Sequence, residues 1–253
     1  MSERRTVRKR RRESPARRVR PFWLLFVLGL VLLGIGAYAF AAWPALRPHT
    51  IVVEGNRVVP KQEVLAQARV ALDRNLWLQN TAEMRKRIET IPYVDRVRVS
   101  RRPPSTIVFA ITERMPYAVL RSGDEAVLVD RQLRVLAPFD SDAGRGLPVF
   151  VVGPAPTLDA GSFVTDPAII ALRDDEVALL AAHIAPAMLM HDKFGDLVAT
   201  LRDGVRLLLG DETDLAKKIP LVDPILTQVG RAGRPIAAID LRAPTAPVVV
   251  YAH

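Results

Sequence analysis

Hydrophobic and polar positions divide the chain into three stretches with different periods. Residues 1–20 are strongly polar. No residue from 21 to 46 carries a charge, and 22–43 form a run of 22 largely apolar residues. Coiled as a helix, that run is about 33 Å long at 1.5 Å per residue, enough to cross a ~30 Å hydrocarbon core. Trp23 and Trp43 stand at its two ends, where an indole can keep its ring in the interface and its N–H hydrated. From residue 50 onward the pattern breaks into short elements typical of a folded body.

Residues 50–54 (Thr-Ile-Val-Val-Glu) are β-branched and end at Gly55-Asn56, a strand running into a turn. Pro60 suits a first helical position, and Val64, Leu65, Ala68 and Leu72 then follow an amphipathic helical stripe. Asn80 and Glu83 make a capping-box-like start for a second helix carrying Met84, Ile88 and Ile91, which Pro92 stops. Residues 96–100 and 106–112 alternate with period two around Pro103-Pro104. The order strand, helix, helix, strand, strand predicts a three-stranded sheet with two helices on one face.

Further along, 127–130, 134–136 and 147–151 read as strands, and 166–190 as an Ala- and Leu-rich helix. Residues 197–201 and 205–209, split by Arg202-Asp203-Gly204, read as a hairpin. Residues 214–229 are helical in pattern, but Pro220 and Pro224 predict a bend or break there. Residues 236–241 and 247–251 read as closing strands. The turn Asp130-Arg131-Gln132-Leu133 has no residue that readily takes a positive φ. The class is α+β, with a mainly antiparallel second sheet and packed helices.

Charge changes the picture once it is located. The chain has 253 residues, 36 basic and 27 acidic, a net +9. Residues 1–20 contain ten basic and two acidic side chains, so +8 sits in the tail and +1 in the rest. A uniformly basic nucleic-acid-binding domain is excluded, and no nucleic-acid partner is expected. Arg47 and Arg57 are the nearest basic residues after the apolar run, so the positive-inside bias puts the N-terminus in the cytoplasm and the body outside. The competing reading is a cleaved signal peptide, suggested by Ala39-Phe40-Ala41 and by Arg17-Arg18, but a signal's apolar region has about 7–15 residues. Gly29, Gly34 and Gly36 show no GxxxG spacing for helix pairing. Topology and attraction to anionic membrane lipid account for the tail, with docking to a cytoplasmic partner as a second reading and DNA binding as a third, which no folded module accompanies.

Chemistry is sparse. With no cysteine, disulfides, thiolate metal sites and cysteine nucleophiles are excluded. His49, His183, His191 and His253 form no H-E-x-x-H motif; His183 and His191, eight apart, could share a helix face but lack a third ligand. No G-x-S-x-G or P-loop occurs. Asp174-Asp175-Glu176 reads as a solvated helix face. No catalytic residue, cofactor or metal site is assigned. Arg85, Lys86, Arg87, Arg96, Arg98, Arg101 and Arg102 concentrate in the first folded segment, as solvated faces or as a surface for an acidic partner, anionic lipid or wall polymer.

Several short fragments now gain meaning together: Val53-Glu54-Gly55-Asn56, Ile91-Pro92-Tyr93-Val94, Val97-Arg98-Val99 with Arg102 and Pro104, and Glu113-Arg114-Met115-Pro116-Tyr117-Ala118 closing the third strand. In this order, behind a basic tail and one span, they resemble the POTRA domain of the FtsQ/DivIB bacterial cell-division proteins. The resemblance continues in Leu128-Val129-Asp130, in 205–210 followed by Leu215 and Lys217-Lys218, and in Ile239-Asp240-Leu241-Arg242. It implies a basic disordered tail over 1–21, a transmembrane helix over 22–43, a linker over 44–49, a POTRA domain over 50–118 and a β domain over 119–253.

The closing strand stops two residues before His253, and a strand at a sheet edge leaves backbone groups that another chain can complete. Val249 and Tyr251 are expected to point outward; the competing reading is a core strand blunted by Pro244 and Pro247. The family resemblance implies that this region binds the FtsB–FtsL complex, and assigns partner binding here to Ala243, Ala246, Val248, Val249, Val250 and Tyr251. Other division proteins would engage the POTRA domain and the transmembrane helix. The implied role is a non-enzymatic divisome scaffold, single-pass in the inner membrane at the septum with its folded domains in the periplasm. The alternative is a membrane-tethered periplasmic enzyme or peptidoglycan-binding module. An outer-membrane assembly factor would need several POTRA copies and a run of long amphipathic strands.

Overall fold

The computed structural model describes residues 16–142, 144–154, 158–231 and 234–252. Most of the expected basic tail, and His253, lie outside the described residues. Helix α1 (Ala16–Ala42) starts ahead of the apolar run. Its stretch Phe22–Ala42 has mean hydropathy 2.5 with nothing buried, and among the described residues it alone is long and apolar enough to cross a membrane. The chain divides into two compact units: one holds α1 with segments 70–81 and 100–108, the other 53–69, 82–99 and 109 onward.

The first sheet is built from β1 (Thr50–Glu54), β2 (Val94–Arg102) and β3 (Thr106–Glu113), with α2 (Lys61–Ala68) and α3 (Thr81–Ile88) between β1 and β2. Its strand order is β1-β3-β2, and the predicted strand–helix–helix–strand–strand succession is met. Two details differ. Pro60 has extended backbone (φ −62°, ψ 138°) and stands just before α2 instead of opening it. Arg69 turns left-handed (φ 48°) and ends the helix, so Leu72 lies beyond the expected stripe and is exposed.

The fragments around β1 and β3 explain each other physically. Gly55 has φ +85°, and a Cβ there would overlap the carbonyl oxygen of Ile111, so only glycine fits. At the end of β3 the Glu113 carboxylate accepts the backbone N–H groups of Arg57, Val58 and Val59, the last at 2.8 Å. Burial pushes the Glu113 pKa up, but these amides and the Arg57 charge outweigh it and hold the carboxyl below its ordinary range. A depressed folded-state pKa gives stability that is present above the unfolded glutamate pKa and is lost as pH falls through the folded value. Glu113→Gln should therefore cost about 1–2 kcal/mol at neutral pH, and urea unfolding should show the gap closing under acid. A gap that stays constant down to acid unfolding would contradict the carboxylate's role.

The second sheet has nine strands: β4 (Ala118–Ser122), β5 (Glu125–Val129), β6 (Val135–Pro138), β7 (Val149–Val152), β8 (Pro186–His191), β9 (Leu197–Leu201), β10 (Arg206–Gly210), β11 (Ile236–Asp240) and β12 (Val248–Tyr251). Their spatial order is β12-β11-β10-β9-β8-β7-β4-β5-β6. Pairs β10–β11, β4–β7 and β7–β8 are parallel and the others antiparallel, so the sheet is mixed but mainly antiparallel, as predicted. Helices α4 (Pro167–Ala181) and α5 (Leu215–Gly230) complete the fold. Ile169, Leu172 and Leu179 of α4 and Leu215, Ile219 and Val222 of α5 join Leu120, Phe150, Leu189, Leu207 and Ile239 in one buried core. A smaller cluster of Val119, Leu128 and Leu136 receives Tyr93 on the other face.

Four expectations are corrected here. The predicted helix over 166–190 ends at Ala181, His183 turns left-handed (φ 62°), and Pro186 opens β8 between β7 and β9. Helix-forming Ala, Leu and Met are overruled by strand partners on both sides. Because His191 is on that strand, it shares no helix face with His183. The carboxylate run is not a solvated face: Asp175 and Glu176 are buried and only Asp174 faces out, paired with Arg173. Lastly, of the bend or break expected at Pro220 and Pro224 the break does not occur: helix α5 continues through both. The carbonyls deprived of an N–H belong to Ala216 and Pro220, both in exposed residues where water can reach them.

The turn lacking glycine resolves differently. Leu133 itself takes φ 60° although buried, and Asp130 Oδ1 holds the turn by accepting the N–H groups of Gln132 (2.8 Å) and Arg134 (2.9 Å). Beside it Arg114 is almost enclosed. Its Nη1 donates to Asp130 Oδ2 at 2.6 Å and to Gln132 at 3.0 Å, its Nη2 lies 3.1 Å from Asp95, and its Nε reaches the Val94 carbonyl at 3.3 Å. Next along the chain, the Tyr117 hydroxyl donates to the buried Glu176 carboxylate, whose pKa burial pushes up.

Candidate interaction surface at the sheet edge

The two ends of the nine-stranded sheet are treated differently. On the β6 side, residues 161–164 take up the outer backbone groups: Val135 N–H donates to Ser162 O (2.9 Å), and Gly161 N–H returns to Val135 O (2.8 Å). Val164 N–H donates to Leu133 O, and Arg134 bridges to Phe163. On the β12 side, no segment among the described residues pairs beyond the strand. One edge is closed and the other is open, and the open one is the predicted strand.

Register decides which side chains β12 offers. Ile239 opposes Val249, Ala238 opposes Val250 and Asp240 opposes Val248, while on β10 Leu207 opposes Ile239 and Leu208 opposes Asp240. Since Leu207 and Ile239 are core residues, Val249 lies on the core-facing side, and Val248 and Val250 lie on the other. Burial agrees: Val248 is 56% exposed and Val250 47%, whereas Val249 and Tyr251 are half-buried. The expectation that Val249 and Tyr251 point outward is therefore corrected by one residue of phase. Ala243 and Ala246 are exposed on the β11–β12 connection, closed by Ala246 N–H on Ala243 O at 3.0 Å. Pro244 and Pro247 lie in this connection and outside the strand, so they do not blunt it.

Three arginines frame the apolar pair; Arg242 belongs to a fragment already noted in the sequence, while Arg206 and Arg234 were not singled out there. Arg234 stacks over the Tyr251 ring at 4.0 Å. Arg242 grips Asp240 with two bonds, Nε to Oδ1 at 3.0 Å and Nη2 to Oδ2 at 2.6 Å, and holds that carboxyl below its usual range. Arg206 and Arg242 also line a cavity of about 210 Å³ with Asp192 and Asp196. The Asp240-Leu241-Arg242 pattern carried the signal of the ion pair, because residues two apart on an extended chain share a face. The result is a valine stripe beside an open backbone edge, set between charged groups.

Chemistry elsewhere is thin. No cluster of three His, Asp or Glu able to hold a metal occurs among the described residues. His191 Nε2 stands 3.8 Å from Asp175 Oδ2 inside the fold. Part of the expected basic surface is committed to structure: Arg87 donates to the Gln67 and Ala68 carbonyls at the end of α2, and Arg101 to those of Leu76 and Gln79.

Comparison with known proteins finds two family models in sequence. The FtsQ-type POTRA domain matches residues 46–114, and the C-terminal region of cell division protein FtsQ/DivIB matches residues 118–242. The cell division protein FtsQ of Mycobacterium tuberculosis (strain ATCC 25618 / H37Rv) is 30% identical over 232 residues, covering 89% of this chain and 68% of that protein. Its counterpart in Mycobacteroides abscessus is 28% identical over 227 residues with the same coverage. That of Streptomyces griseus is 29% identical over 213 residues, 81% of this chain and 97% of that protein.

Proposed function

Since the chain belongs to the FtsQ/DivIB family of cell-division proteins, we propose that it is a non-enzymatic divisome scaffold whose open sheet edge at β12 captures the FtsB–FtsL complex. In this reading it links early division proteins to those that control septal peptidoglycan synthesis. Helix α1 is a single inner-membrane span with the N-terminus cytoplasmic, and a POTRA domain (50–118) and a β domain (119–253) stand in the periplasm at the septum. The POTRA domain and the span would engage the other division proteins.

One observation carries the reading: the edge beyond β12 is unpaired among the described residues while the opposite edge is covered by residues 161–164. An incoming strand would gain backbone hydrogen bonds there, and Val248 and Val250 would select its side chains. The test is site-specific photocrosslinking in dividing cells. Probes at Val248 and Val250 should give adducts with FtsB or FtsL, and a probe at Phe163 beside the closed edge should give none. Adducts from Phe163 and none from β12 would reject the assignment.

A further inference from the structure

The loop joining α2 to α3 lies in the same compact unit as α1 and touches it directly. Asn75, 3% exposed, donates from Nδ2 to the carbonyl oxygen of Phe40 at 2.7 Å. Phe40 is in the last turn of α1, where its carbonyl has only a long 3.4 Å bond from the Trp43 N–H, so Asn75 caps the helix from a distance in sequence. The same side chain accepts the Trp77 N–H at 2.9 Å. The loop is held firmly. Gln79 bonds the Ala71 N–H and the Ala71 and Arg74 carbonyls, and Arg101 clamps the Leu76 and Gln79 carbonyls.

Within three residues of Asn75 are three apolar side chains the fold leaves uncovered: Leu72 at 60%, Trp77 at 40% and Leu78 at 64% exposure. Their depth follows from the helix. The apolar stretch ends at Ala42, two residues after Phe40, which is about 3 Å along the axis. A span of 21 residues covers about 32 Å, closely matching a ~30 Å hydrocarbon core. A loop fastened at Phe40 therefore sits at the boundary between acyl chains and headgroups.

We infer that Leu72, Trp77 and Leu78 form a second membrane contact, a preshaped loop that dips into the bilayer surface beside the point where α1 emerges. Trp77 suits that depth as interfacial indoles do, with the Arg101 guanidinium 5.8 Å over its ring. The exposed Arg74 in the loop matches lipid phosphates. The contact would fix the height and tilt at which this end of the folded body leaves the membrane. The inference rests on α1 being membrane-spanning.

The test uses the full chain in phosphatidylglycerol–phosphatidylcholine vesicles whose acyl chains are brominated near the headgroup end. One variant keeps only Trp77 (Trp23→Phe, Trp43→Phe) and a second keeps only Trp43 (Trp23→Phe, Trp77→Phe). Trp77 emission should be quenched to an extent comparable with Trp43. Adding Leu72→Glu and Leu78→Glu should relieve quenching of Trp77 and leave Trp43 quenched. Quenched Trp43 with unquenched Trp77, or quenching of Trp77 indifferent to the two glutamates, overturns the docking loop and leaves the span intact. An unquenched Trp43 overturns the span and the loop with it.

Discussion

The double substitution Val248→Glu, Val250→Glu is expected to abolish capture of the FtsB–FtsL complex while thermal unfolding of the protein stays cooperative and near its original midpoint. Both side chains lie on the non-core side of β12 and are already solvent-facing, so two carboxylates cost the free protein little. In the bound state each would be buried against an incoming chain in place of an apolar contact. Loss of two central apolar contacts of this kind is worth at least about 2 kcal/mol, roughly thirty-fold in Kd. The phase of the strand matters to the design. Val249 opposes the fully buried Ile239, so Val249→Glu would damage the core and confuse unfolding with loss of binding. Tyr251→Lys would set a second cation against Arg234. Undiminished capture by the 248/250 variant would remove β12 from the interface.

Arg114→Ala should be the most damaging single change away from that edge. Its guanidinium divides between two carboxylates, Nη1 to Asp130 and Nη2 to Asp95, with only a tenth of the side chain exposed. Truncation strands Asp130, itself nearly buried, without its cation, and breaking such a pair from one side costs about 3–5 kcal/mol. Arg114→Lys should recover only part, since one ammonium cannot reproduce the two-pronged grip. Denaturant unfolding of the single and double variants measures this. Arg114→Ala, Asp130→Ala should be less destabilised than the sum of the singles. Strict additivity would mean the pair does not act as a unit.

The order of elements was legible because its signals are local. Period-two alternation gave β2 and β3, and the Gly204 turn gave the β9–β10 hairpin. What escaped depended on distant partners. Residues 186–190 carry helix-forming Ala, Leu and Met, and only their place between β7 and β9 makes them a strand. β4 was missed although Ser122-Gly123-Asp124-Glu125 has the form of a two-residue hairpin turn, with Gly123 at φ 58°. The burial of Asp175 and Glu176 needed tertiary knowledge, as a helix pattern does not say which polar residues will meet Tyr117 or His191. At the site, strand and edge were readable; the outward face was not, because register depends on how β11 pairs with its neighbours.

The unequal ends of the nine-stranded sheet set a valency. A strand edge can be completed once, so the β12 edge accepts one partner strand at a time, and the covered end at β6 adds no second place on this sheet. Eight strand spacings of about 4.8 Å separate the two edges, so an occupant at β12 gains nothing from the far side. Whatever pairs with β12 excludes every rival for the same edge. A short peptide that mimics the partner strand would then act as a competitive, saturable blocker at β12.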